Sequence, residues 1–155
     1  MTATILITLG LSAVLLAGLI TLSWIDIRTY RLPDILTLPL IGLGLIGSFI
    51  IFRDLPSGLI GAIAGYGSFV AIEKGFKFLR GYDGLGRGDA KLLAVGGAWC
   101  GWMSLPMIVL IGSVSGLTLI LAFSKFRESG RIAFGPFLAF GIALTYVTRL
   151  MPLIM

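Results

Sequence analysis

Residues 3–25, ATILITLGLSAVLLAGLITLSWI, decide the fold: they run without a single charged side chain. A helix of that length rises about 34 Å, enough to cross the roughly 30 Å hydrocarbon core of a bilayer. The run has no basic residue before it and no small-residue cleavage site ahead of a soluble domain. It is therefore expected to be a permanent helix and not a removable signal peptide. Further along, apolar runs recur at residues 35–52, 55–72, 92–103, 105–123 and 132–155, interrupted by short polar stretches. The fourth and fifth are separated at Pro106, which favours two helices over one. Together they predict an all-α polytopic membrane protein of about six transmembrane helices in one domain, residues 1–155, with no internal repeat.

Composition excludes the other classes. Of the 155 residues, 57% are hydrophobic and only 12% charged, and mean hydropathy is +1.06. One small core could not hide that much apolar surface from water, and disorder requires the opposite balance. Histidine is absent and Cys100 is the only cysteine. Histidine-based triads and bases, imidazole zinc sites, intrachain disulfides and multi-cysteine metal sites are all excluded. Cys100 reads as a small packed apolar side chain. The net charge of +5 points to basic loops facing anionic lipid and not to nucleic acid, since no basic-and-aromatic stripe accompanies it.

Those basic residues set the orientation. Arg28 and Arg31 follow the first run, Lys74, Lys77, Arg80, Arg87 and Lys91 follow the third, and Lys125, Arg127 and Arg131 follow the fifth. Arg53 and Arg149 are left on the other side. The positive-inside rule places the ten in the cytoplasm and both termini outside, in the periplasm.

Of seven acids, Asp26, Asp34, Glu73, Asp83, Asp89 and Glu128 share the predicted cytoplasmic side and Asp54 is opposite. Asp26 ends the first run, and Asp89 precedes the fourth within Gly86-Arg87-Gly88-Asp89-Ala90-Lys91. Each has an ordinary reading, as a cap or a solvated partner of a nearby arginine. Brought together at one depth, the two carboxylates could instead share a proton and activate water. Gly86 and Gly88 keep the backbone before Asp89 free of side chains. Gly96 and Gly97, lower on the same helix, leave a bare face that another helix, expected to be the first, could approach closely. Pro33 predicts an extended entry to the second helix, with Asp34 as its cap, and Pro39 is expected to loosen its second turn. Asp83 is expected to balance Arg80 and Arg87.

The order of these segments resembles a known family. Asp26 in Ile25-Asp26-Ile27-Arg28-Thr29-Tyr30-Arg31-Leu32-Pro33-Asp34, the Gly86-Arg87-Gly88-Asp89-Ala90-Lys91-Leu92 segment and Phe134-Gly135-Pro136-Phe137-Leu138-Ala139 are similar to the motifs of the type IV prepilin peptidases. These are GxGD-type aspartic proteases of the membrane. The resemblance covers residues 26–141. It implies removal of a short basic leader, usually after a glycine, from prepilins or pseudopilins at the cytoplasmic face of the inner membrane. It implies Asp26 and Asp89 as the catalytic pair, with Gly86, Gly88, Lys91, Pro33 and Asp34 as supporting motif positions, and no cofactor or metal. The sequence departs from the family in two places. The cytoplasmic insert with paired cysteines found in long members, which also methylate the new N-terminus, is absent, so cleavage without methylation is expected. Ala133 stands where the family often has proline.

The expected chemistry is hydrolysis without a covalent intermediate, one carboxylate taking a proton from water and the other polarising the scissile carbonyl. Asp89 opens a helix and Asp26 closes one, so the helix dipole favours Asp89 as the ionised base. The rival classes are a small transporter whose acids relay protons, an intramembrane GxGD protease that cuts transmembrane helices, and an inert membrane component of a secretion machine.

Overall fold

The computed structural model describes residues 2–80, 87–122 and 133–154. Among them are six α-helices: α1 Thr2–Thr29, α2 Asp34–Ile50, α3 Leu55–Arg80, α4 Arg87–Cys100, α5 Leu105–Ala122 and α6 Gly135–Ile154. They alternate up and down, so that the α1–α2 turn, the end of α3, the start of α4 and the start of α6 share one end of the bundle. Each predicted run is a helix, but the ends differ. The first run extends to Thr29, which places Asp26 inside the last turn of α1. The third continues through Glu73 to Arg80, because glutamate, lysine and arginine are good helix formers.

The turns follow local chemistry. Tyr30 takes a left-handed φ of 53° directly after α1, and Pro33, extended at φ −72° and ψ 136°, leads into α2. Asp34 does not cap α2, contrary to expectation. It is the first helical residue, Pro33 occupies the cap position without a side-chain bond, and the Asp34 carboxylate turns to Lys91 instead. The helix runs on through Pro39. Asp54 is a true cap: its Oδ1 accepts the Ser57 N–H at 3.2 Å at the start of α3. The break between α4 and α5 is set by Gly101, at φ +81°, followed by a 3-10 turn over Trp102–Ser104. Pro106 sits harmlessly in the first turn of α5, where no intrahelical N–H is required.

Helix α4 is the interior of the bundle. Ala90 and every residue from Leu92 to Cys100 are buried, packed by α2, α3, α5 and α6. Its most extensive partner is α3, not α1. Gly61 and Gly97 meet backbone to backbone, and Gly65 lies against the Leu93 carbonyl, the close approach that small residues permit. Gly96 instead faces Ile108 and Ile142. Two buried polar groups pair across helices. Ser48 Oγ donates to the Ala98 carbonyl at 2.7 Å and Trp99 Nε1 to the Leu40 carbonyl at 2.9 Å. Cys100 is buried in the core, as its apolar reading requires.

The outer faces are apolar. Leu6, Ile20, Ile63, Leu110 and Leu121 are exposed, an arrangement suited to lipid and costly in water. By length and composition α1, α3 and the stretch from Trp102 through α5 can each cross a bilayer. Helix α4, at 14 residues, rises only about 21 Å. Its neighbours α2, α3, α5 and α6 surround it. The protein is a multi-pass membrane protein.

Candidate active site

The end of the bundle where α1 finishes and α4 and α6 begin gathers most of the acids. Asp26 projects from the last turn of α1 and is 6% exposed. Its Oδ2 accepts the backbone N–H of Gly135, 2.9 Å away, at the start of α6. Asp89 lies in the first turn of α4, partly buried, at the same end of the bundle as Asp26. Two segments 63 residues apart in sequence thus bring their carboxylates into one neighbourhood. Like charges at close range do not readily both ionise, so such a pair is suited to hold one shared proton.

The contact with Gly135 alters the dipole argument. Asp26 lies at the carboxyl end of its own helix but also faces the amino end of α6. Both carboxylates therefore sit beside a helix N-terminus, and the macrodipole no longer separates them. The Phe134-Gly135-Pro136 motif carries this contact. The motif is visible in the sequence; its partner is not.

The supporting positions divide. Gly88 is packed on Leu32, and a Cβ there would come within 3.1 Å of that side chain, closer than ordinary contact, so Leu32 would have to give way. Lys91 Nζ pairs with Asp34 Oδ1, joining the start of α4 to the start of α2. Pro33 sets the extended entry between them. Gly86 and Asp83 lie outside the described residues. Arg87 reaches Glu73 of α3 at 3.5 Å, a pairing the sequence reading missed because α3 was expected to stop at residue 72. Glu73 is buried, whereas the Arg87 side chain is largely exposed.

At the same end of the bundle an open cleft of about 960 Å³ runs between the α1–α2 turn and the start of α4, with Asp34 as the one acid in its lining. Ile25, Thr29, Leu32, Arg31 and Gly88 contribute to its walls. Asp26 and Asp89 are not among its lining residues, although Ile25 and Gly88, which precede them in sequence, are. It is large enough for several residues of an extended peptide.

Comparison with known proteins identifies the family of the chain. The model of the type IV leader peptidase family matches residues 13–121. Similar proteins named prepilin leader peptidase/N-methyltransferase include one from Escherichia coli K12. It is 47% identical over 125 residues, covering 79% of this chain and 56% of that protein. One from Dickeya chrysanthemi is 42% identical over 146 residues, covering 91% of this chain and 52% of the relative. One from Pseudomonas aeruginosa is 44% identical over 134 residues, covering 84% and 46% respectively. The chain spans about half the length of the curated relatives it matches. No solved structure matches it. With residues 13–121, most of the chain, matched by the family's model, and with relatives this similar, the chain belongs to the type IV leader peptidase family.

Proposed function

We propose that this protein is an aspartic endopeptidase of the inner membrane that removes the leader peptide from prepilins or pseudopilins, with Asp26 and Asp89 as its catalytic pair. The observation that carries this reading is that Asp26, in the last turn of α1, and Asp89, in the first turn of α4, lie at the same end of the bundle, with Asp26 held by the Gly135 N–H. One carboxylate, ionised, takes a proton from a water molecule as that water attacks the scissile carbonyl. The other, protonated, donates a hydrogen bond to the carbonyl oxygen. Collapse of the tetrahedral intermediate then returns a proton to the departing amine. The relatives are named for two activities, and the two aspartates concern the first.

The distribution of Lys and Arg supports a cytoplasmic location for this end and a periplasmic one for both termini. A substrate would enter with its basic leader on the cytoplasmic side and its apolar segment in the bilayer, along lipid-facing helices. The single peptidase domain is residues 1–155. A proton-relay transporter is less well supported, because Asp26, Asp34, Glu73 and Asp89 collect at one end instead of tracking across the bundle. Co-expression with a pilin-like precursor tests the reading. The precursor should shorten by the length of its leader on a gel in the presence of the wild-type chain, and remain full length without it.

A further inference from the structure

We propose that Gly135 is a positioning residue for Asp26, its N–H holding one carboxylate oxygen so that the other faces water and Asp89. The proposal rests on the reading of those two residues as the hydrolytic pair. The first amides of a helix have no partner within it, and α6 disposes of its own in an ordered way. Phe137 and Leu138 both donate to the Phe134 carbonyl, at 3.1 Å each. Pro136 has no N–H to offer. The Gly135 N–H is thereby left for a group outside the helix, and Asp26 Oδ2 accepts it at 2.9 Å across 109 residues of sequence. Residue type matters as well: a Cβ at position 135 would run into the Asp26 carboxylate. With Oδ2 engaged, proton exchange with water falls to Oδ1. The α1–α6 pair is also tied further along, where Ser12 Oγ and Tyr146 Oη lie 2.9 Å apart, so the carboxylate is held by two helices fixed relative to each other. Orientation of this kind is worth a large factor in rate, since a displacement near 1 Å can cost about 100-fold.

The test uses the full chain in detergent with a pilin-like precursor and compares Gly135→Ala with Gly141→Ala. Gly141 lies on the same helix, and a Cβ there would press on the Ile108 carbonyl at 2.6 Å, so this variant reports packing damage in α6 alone. Gly135→Ala should lower kcat about 100-fold while KM stays within about threefold, and should shift the pH profile of kcat. Gly141→Ala should lower the melting temperature and leave that profile in place. A Gly135→Ala enzyme with normal kcat, or with a reduced kcat and an unmoved pH profile, overturns the proposal. Should Gly135→Ala fail to fold, hydrogen exchange at the Gly135 amide decides instead. Exchange should be at least tenfold faster in Asp26→Ala than in wild type, and equal rates overturn the proposal. An Asp26→Asn enzyme that still cleaves removes the hydrolytic reading and this proposal with it. A normal Gly135→Ala enzyme beside an inactive Asp26→Asn removes the proposal alone.

Discussion

Gly61 of α3 and Gly97 of α4 touch backbone to backbone, so that a Cβ on either would enter the carbonyl of the other. This contact seats the interior helix, and with it Asp89 at the helix's start. Relief would require the two helices to separate, because neither neighbour is a flexible side chain. Gly97→Ala should therefore destabilise by at least about 2 kcal/mol, in the range of overpacked cores. Gly67→Ala, with nothing within 4 Å of its Cβ, should be neutral or gain up to about 1 kcal/mol from reduced backbone entropy. Thermal melts of both variants in one detergent would check the contrast.

The Lys91–Asp34 pair joins α4 to α2, but its side chains are 27% and 58% exposed. Exposed ion pairs contribute about 0–1 kcal/mol. Asp34→Asn should accordingly keep stability within about 1 kcal/mol and cleavage within about threefold of wild type. A complete loss of cleavage in well-folded Asp34→Asn would place Asp34 in the chemistry.

At the opposite end, Arg149 closes the carboxyl terminus of α4. Its Nη1 donates to the Trp99 carbonyl at 3.1 Å, its guanidinium lies 4.0 Å from the Phe52 ring centroid, and Asp54 Oδ2 is 3.8 Å from Nη2. The hydrogen bond and ring contact are partly buried and worth about 1–3 kcal/mol together, whereas the half-exposed Asp54 adds little. Arg149→Met should lower the melting temperature more than Asp54→Asn, with KM for a precursor unchanged in both. Equal losses of stability would assign the contribution to the ion pair.

Orientation is open to labelling because Cys100, the only native thiol, is buried. Leu79 and Pro56 are exposed at opposite ends of α3. A membrane-impermeant maleimide applied to intact cells should label Pro56→Cys. It should label Leu79→Cys only after the inner membrane is opened. The reverse pattern would invert the assignment made from Lys and Arg.

The helices were legible because each is an apolar run bounded by charge, proline or glycine. Their ends were less so. Hydropathy falls at Glu73, yet the backbone remains helical to Arg80, since hydropathy reports the surroundings of a segment and propensity its conformation. The sequence points to Pro106 as the break, while the residue that turns the chain is Gly101. Proline is tolerated in a first turn, and a positive φ favours glycine. The site was legible as a list of motif residues and not as contacts. Nothing local to Asp26 indicates that its carboxylate receives an amide from Gly135. Nothing local to Asp34 distinguishes a cap from a partner of Lys91. Pairings over such separations depend on which helices become neighbours, and Gly96 and Gly97 left that open, since bare faces fit several partners. The expected neighbour was α1, and the glycines of α3 took the place instead.

The central claim is that Asp26 and Asp89 form one catalytic pair. Asparagine preserves the shape of each side chain and removes its ability to exchange a proton, so a loss would report chemistry and not packing. The direct measurement is single-turnover cleavage of a pilin-like precursor by purified wild type, Asp26→Asn, Asp89→Asn and the double variant, matched for melting temperature. Both single variants should fall by at least about 1,000-fold, and the double variant should be no slower than either, as expected for groups acting as a unit. Cleavage at near wild-type rate by either single variant, in protein that melts normally, would contradict the pair.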